Sequence, residues 1–170
     1  MNEKKKNLKF SRGSEEEQIL QTWWSGLDRS RGDRAMLRRC RNPAELIMVP
    51  AYHRLRLSLS DRWYVNNLQL AVVAGVISHL DTDEKSGTCA EQMARPKENS
   101  GPSRVSGLRF RRLLKADAPA EEYMALVRMV HLMGRTANLS DLANSAYHWN
   151  EYTKKNWALS YYEKAPATES

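Results

Sequence analysis

The stretch Leu68-Gln69-Leu70-Ala71-Val72-Val73-Ala74-Gly75-Val76-Ile77-Ser78-His79-Leu80 decides the fold. It is apolar on more than one helical face and shows no alternation of period two. A helix of this kind is buried on most sides, as at the centre of a bundle. With Ser60 as its cap, the pattern predicts one long helix over Asp61–Leu80.

Upstream, helix-start signals follow one another. Ser14-Glu15-Glu16-Glu17 is a capping box. Behind it Ile19, Leu20, Trp23, Trp24 and Leu27 form a 3.6-residue stripe, with Gly26 near its end. Asp33 is placed to cap a second helix reaching about Arg41. Asn42-Pro43-Ala44-Glu45 starts a third, and Pro50 begins a fourth through Leu57. Downstream, Asp81–Gly87 reads as a polar turn. Thr88 with Glu91 caps a short helix to about Ala94. Further helices are expected over Gly107–Lys115, over Pro119–Met133 with Gly134 as its stop, over Asp141–Trp149 capped by Ser140, and over Glu151–Glu163. The expectation is an all-α protein of eight to nine helices, with no sheet, in two packed helical halves, 14–94 and 107–170. Residues 95–106, with Pro96, Gly101 and Pro102, read as the linking loop, and 1–13 as a flexible basic arm.

The 170 residues carry 27 Lys and Arg against 20 Asp and Glu, a net charge of +7. That balance favours an anionic partner. Two cysteines, Cys40 and Cys89, exclude a disulfide scaffold and point to a reducing, cytoplasmic setting. The longest apolar run, Leu70 to Ile77, is too short to span a bilayer, so no membrane is expected as partner.

The excess charge is concentrated. Arg29–Arg41 and Arg104–Lys115 together sum to +10, so the remainder of the chain sums to −3. On a wheel, Arg31, Arg34, Arg38 and Arg41 form one line, opposite Met36, Leu37 and Cys40. In the second segment Phe110, Leu113 and Leu114 form the buried side, and Arg104, Arg111, Arg112 and Lys115 lie opposite. Such faces either pair with acids elsewhere or form a rail for phosphates, which arginine grips bidentately. Arg39 and Arg109 flank the two lines, a position that also suits protein contacts. Trp149, Tyr152, Trp157, Tyr161 and Tyr162 lie near Lys154 and Lys155 at the end of the chain. They read first as core, with base stacking as the alternative.

Signals of catalysis are poor. There is no H-E-x-x-H, P-loop, G-x-G-x-x-G after a strand, or G-x-S-x-G. His53, His79, His131 and His148 have no metal-ligand spacing with cysteine, and no cofactor is expected. Asp81, Asp83 and Glu84 read as a solvated turn, with a Mg²⁺-dependent nuclease as the weaker alternative. His79 reads as a helix-end histidine.

The order of segments resembles the CasB family, the small subunit of the type I-E CRISPR surveillance complex Cascade. The residues that carry it are Thr22-Trp23-Trp24-Ser25-Gly26-Leu27, Asp33-Arg34-Ala35-Met36-Leu37-Arg38-Arg39-Cys40, Pro43-Ala44-Glu45-Leu46 and Pro50-Ala51-Tyr52-His53-Arg54-Leu55. Ser106-Gly107-Leu108-Arg109-Phe110-Arg111-Arg112-Leu113-Leu114 is a second match. A third, looser one runs from Leu126-Val127-Arg128 to Gly134, with Leu139 to Leu142 and Trp149 following.

The resemblance implies an all-helical, non-catalytic subunit present in two copies, lying beside the repeated backbone subunits that carry the crRNA. It implies contact with the large subunit and a hold on target DNA, mainly the displaced strand. Carried over by position, it points to Arg38, Arg39, Arg54, Arg109, Arg111, Arg112 and Arg128, and less closely to Lys154 and Lys155. The charge pattern itself adds Arg34, Arg41, Arg104 and Lys115. A free-standing helical DNA-binding regulator is the alternative. It needs a recognition helix and symmetric half-sites, and only Arg29–Arg41 offers a candidate.

Overall fold

The computed structural model describes residues 4–169. Among them are ten α-helices: α1 Glu15–Gly26, α2 Arg31–Arg39, α3 Pro43–Ile47, α4 Pro50–Ser60, α5 Asn67–Ser78, α6 Cys89–Ala94, α7 Gly107–Lys115, α8 Pro119–Leu132, α9 Leu139–Tyr147 and α10 Glu151–Lys164. Four two-residue strands accompany them: β1 Lys6–Asn7, β2 Trp63–Tyr64, β3 Thr82–Asp83 and β4 Thr136–Ala137. The protein is therefore mostly helical as expected, with a larger helix count and with two small parallel sheets in place of none.

Helix α5 sits at the centre, packed against α2, α3, α4, α8 and α9. Every residue from Leu70 to Ser78 except Val72 is buried. The long helix expected over Asp61–Leu80 is interrupted at its start. Trp63, Tyr64 and Val65 are aromatic and β-branched, and they favour extended backbone. Trp63 and Tyr64 pair in parallel with Lys6 and Asn7. Asn66 then caps α5, its side chain accepting from the Gln69 N–H at 3.1 Å. Ser60 is instead the last residue of α4.

This pairing corrects the flexible arm. Residues 1–3 lie outside the described residues, but Leu8 and Phe10 are 1% and 2% exposed. Phe10 meets Tyr147 edge-on with centroids 6.2 Å apart, and its N–H donates to Asn144 Oδ1 at 3.0 Å. Two apolar side chains among many lysines are enough to anchor the segment once a groove receives them.

The second sheet pairs Thr82 with Thr136 and Asp83 with Ala137. It joins the turn after α5 to the loop after α8. That loop reverses the chain with Gly134 at φ 69° and Arg135 at φ 58°, both left-handed. The Arg135 N–H donates to Val130 O at 2.9 Å and the Gly134 N–H to His131 O at 3.0 Å, a Schellman closure. The Arg135 carbonyl in turn accepts from Asp81 N–H at 2.8 Å. Strands of two residues leave no periodic trace in sequence.

Besides the replacement of Ser60 by Asn66 as the cap of α5, capping departs from the expected residues at two helices. Ser14, Asn42, Thr88 and Ser106 accept from the N–H three residues on. Asn138, not Ser140, caps α9, and Ser140 is buried. Ser30, not Asp33, stands at the start of α2. In the 95–106 loop, Pro96 and Ser103 form a bridge and Val105 is buried. Glu169, in a closing 3-10 turn, accepts from the Gly107 N–H at 2.6 Å and from the Ser103 N–H at 3.3 Å. Helices of the two sequence halves pack on each other, α5 on α9 and α6 on α10, and one core cluster takes residues from both.

Gly75 lies where α3 and α8 approach α5. A Cβ there would stand 2.6 Å from Leu46 Cδ1 and 2.7 Å from the Tyr123 ring. Gly75→Ala is expected to lower stability by about 1–3 kcal/mol through overpacking, read as a lower urea midpoint at unchanged m. Phe10→Ala is expected to cost about 3–5 kcal/mol, measured the same way. A truly flexible arm would leave that midpoint unmoved.

Candidate nucleic-acid interface

Helix α2 buries Leu37 and leaves Arg39 exposed at its end, followed by exposed Arg41. Helix α7 buries Phe110 and Leu113 and exposes Arg109, Arg111, Arg112 and Lys115. Phe110 is fixed by stacking on Tyr161, with centroids 4.0 Å apart and planes at 9°. Helix α8, packed between α5 and α7, exposes Arg128. Between these elements runs an open groove of about 1240 Å³.

One side of the groove carries Arg38, Arg39 and Arg41. Arg109, Arg112 and Lys115 of α7 and Arg128 of α8 complete the lining cations. Glu121 is the one acid in the lining. Apart from Arg38, no lining cation has a described carboxylate within ion-pair distance. Arg38 is held in place: its Nε donates to Ser78 O at 2.7 Å and its guanidinium meets Asp81 at 3.0 Å. Arg39 and Arg109, which the wheels place beside the main lines, both stand in this groove.

The remaining expected residues lie elsewhere. Arg34 is paired with Asp28 at 2.8 Å and its side chain is 16% exposed. Arg54 is paired with Asp33, and Arg104 with Glu84 at 3.4 Å. Arg111 turns toward the Tyr162 hydroxyl, 3.5 Å away. Lys154 lies 3.7 Å from Glu122 and 5.9 Å from the centre of the Trp149 ring. Lys155 is exposed on α10, outside the groove. The line Arg31, Arg34, Arg38, Arg41 is thus divided, because Asp28 and Asp81 come from outside α2. Met36, expected on the buried side, is 43% exposed.

Sequence reading missed the rest of the lining. Leu113, Met124, Val127 and Leu132 supply apolar surface, and His79 and His131 stand in the same groove. Helical periodicity marks Val127 only as core. His79 Nδ1 and His131 Nε2 lie 3.0 Å apart, and the other His79 nitrogen is buried with no hydrogen-bond partner among the described residues. Burial holds the His79 imidazole far below its usual range, to about 4, and His131, Arg38 and Arg135 push the same way. His131 is lowered by burial and by Arg135 and Arg38, against Asp81.

The aromatic residues are mostly structural. Trp23 and Trp24 donate to Ala51 O and Ile77 O, and Trp157 to Ser145. The acids after α5 serve the fold: Asp81 holds Arg38, Asp83 accepts from Leu139 N–H at 3.0 Å, and Glu84 faces Arg104. Asp83 lies in a strand, which corrects the solvated turn. Among the described residues no group of three His, Cys, Asp or Glu is arranged to hold a metal ion. No described helix is long and apolar enough to cross a membrane.

The structure thus defines the class: a mostly helical protein with a cationic groove in which, among the described residues, Arg38 alone of the lining cations has a carboxylate within ion-pair distance. The family described as CRISPR-associated protein Cse2 matches residues 33–162, and the chain belongs to that family, as its resemblance to CasB implied. The fold is similar to a chain in the crystal structure of Escherichia coli Cascade bound to a PAM-containing double-stranded DNA target. The identity is 21%, the TM-score 0.69, and the likeness covers 86% of this chain and 94% of that one. No curated protein matches the chain.

The histidine pair sets a pH prediction. An unfolded histidine titrates near ~6.5, above the folded value, so the unfolded state takes up more protons. Stability from this site is complete above about pH 6.5 and declines as pH falls toward 4. Urea midpoints across that window should fall, and His79→Gln should make the decline shallower.

Proposed function

We propose that this chain is the small, non-catalytic subunit of a type I-E Cascade, and that its groove holds nucleic-acid backbone during crRNA-guided defence. The observation that carries the reading is the convergence of seven expected cations, from three separate segments, on one groove. Family membership and the likeness to a chain of a DNA-bound Cascade support it. The assembly partners are the repeated backbone subunits, the large subunit and a second copy of this chain. The nucleic-acid partner is target DNA, mainly its displaced strand.

The physics suits that task. Exchange of DNA pairing for guide pairing is nearly balanced in energy, so added backbone contacts tip it. Cations aimed at phosphates carry no base preference, which fits a protein that meets any invading sequence. Groups that lie outside the groove and are already paired, such as Arg54 and Arg104, serve the fold in this reading.

If about four phosphates of a single strand are neutralised, the log–log salt dependence of binding should have a slope of roughly −3. Arg109→Ala, Arg112→Ala and Arg128→Ala combined should flatten it by about 2 and weaken binding equally across sequences. Equal binding and an unchanged slope in that triple variant would place the interface elsewhere.

A further inference from the structure

The groove is more than a rail of charge. Leu113, Met124, Val127 and Leu132 line it between the cations, and Cys40 lies among them. Leu113 and Val127 are 4% and 6% exposed, so they form its floor, while Arg39, Arg109, Arg112 and Arg128 stand out into solvent. A row of phosphates alone has no use for an apolar floor. A duplex keeps its base faces stacked and offers a groove only phosphate, sugar and base edges. A single strand has free base faces, which are flat and apolar. The volume, about 1240 Å³, exceeds the ~300–1,000 Å³ of pockets that take one drug-sized ligand. It accommodates more than one nucleoside-sized group.

We propose, resting on the reading of this groove as a nucleic-acid site, that it takes a single strand with its bases turned inward onto the apolar floor and its phosphates gripped by the arginine rim. Charge complementarity selects the occupant: the unpaired rim cations face a single lining acid, Glu121. The floor is aliphatic and thioether, and the His131 ring also lines the groove. Such a surface adapts to purines and pyrimidines alike, and Met124 is the most adaptable part of it. The site therefore discriminates strandedness while staying indifferent to sequence. A flat basic face would share the indifference to sequence but would not discriminate strandedness.

The chain carries its own reporter. Cys89 is 0% exposed, whereas Cys40 is half-buried in the groove lining. Alkylation in mildly alkaline buffer, chosen because burial and Glu45 raise the Cys40 thiol pKa, reads occupancy of the groove directly.

The experiment uses the full chain and three DNA probes of equal length: a mixed-sequence single strand, the same strand with abasic tetrahydrofuran units throughout, and the duplex. The expected result is roughly tenfold weaker binding of the abasic strand than of the ordinary one, with the same salt slope because the phosphate count is unchanged. Met124→Gln should narrow that gap without changing affinity for the abasic strand. The ordinary strand should slow Cys40 alkylation several-fold. Equal affinity for abasic and ordinary strands overturns the bases-inward site and leaves the phosphate rail standing. Tighter binding of the duplex than of the single strand overturns it too. Binding of the strand with Cys40 alkylation unchanged places the strand elsewhere and leaves this groove to another occupant, such as an acidic amphipathic helix. No binding of any probe at low salt removes the nucleic-acid reading itself, and this inference with it.

Discussion

The absence of a side chain at position 75 fixes the spacing of the molecule. Leu46 of α3 and Tyr123 of α8 close on α5 at that point, so near that an added Cβ would force a side chain to shift. Helix α8 continues along its length to Val127, Arg128 and Leu132, which line the groove. Helix α3 follows directly on the segment that carries Arg39 and Arg41. One close approach in the core therefore holds α8, which lines the groove, against α5. The interior is packed to crystal-like density, so such a distance is held and not merely favoured.

A groove lined by many like charges tends to open. Three features oppose this. The rim groups are exposed, so water and salt screen their repulsion beyond roughly 8–10 Å. The backbones beneath them are tied by apolar contacts, notably Phe110 on Tyr161 and Leu37 in the core. Arg38, whose charge acts on the buried His79, is paired with Asp81 and fixed by Ser78 O. The remaining positive potential is available to a ligand, and the histidine pair, held neutral by burial, adds no further charge to the groove.

The two small sheets give α5 and its neighbours their order. Each is parallel, and each joins segments that are remote in the chain. The first brings Leu8 and Phe10 of the N-terminal segment onto α9. The second fixes the turn that bears Asp81 beside the Schellman closure of α8, and so places the acid that holds Arg38. Structural elements of only two residues thus position a side chain that lines the groove.

Helix starts were legible where their chemistry is local: Ser14, Asn42 and Thr88 each bond to an N–H three residues away. The buried nature of α5 and the concentration of arginine in two segments were legible for the same reason, as properties of composition and period. The strands were not, since Lys6 finds Trp63 and Thr82 finds Thr136 only after the chain has folded. Nor was the division among the cations. Arg38 and Arg104 meet carboxylates 43 and 20 residues away, and among the described residues Arg39, Arg109 and Arg128 meet none. Sequence determined which helices form and how much positive charge the surface carries. Tertiary structure alone decided which guanidinium groups stay unpaired and share a groove, because Coulomb pairing depends on distance in space and not on separation along the chain.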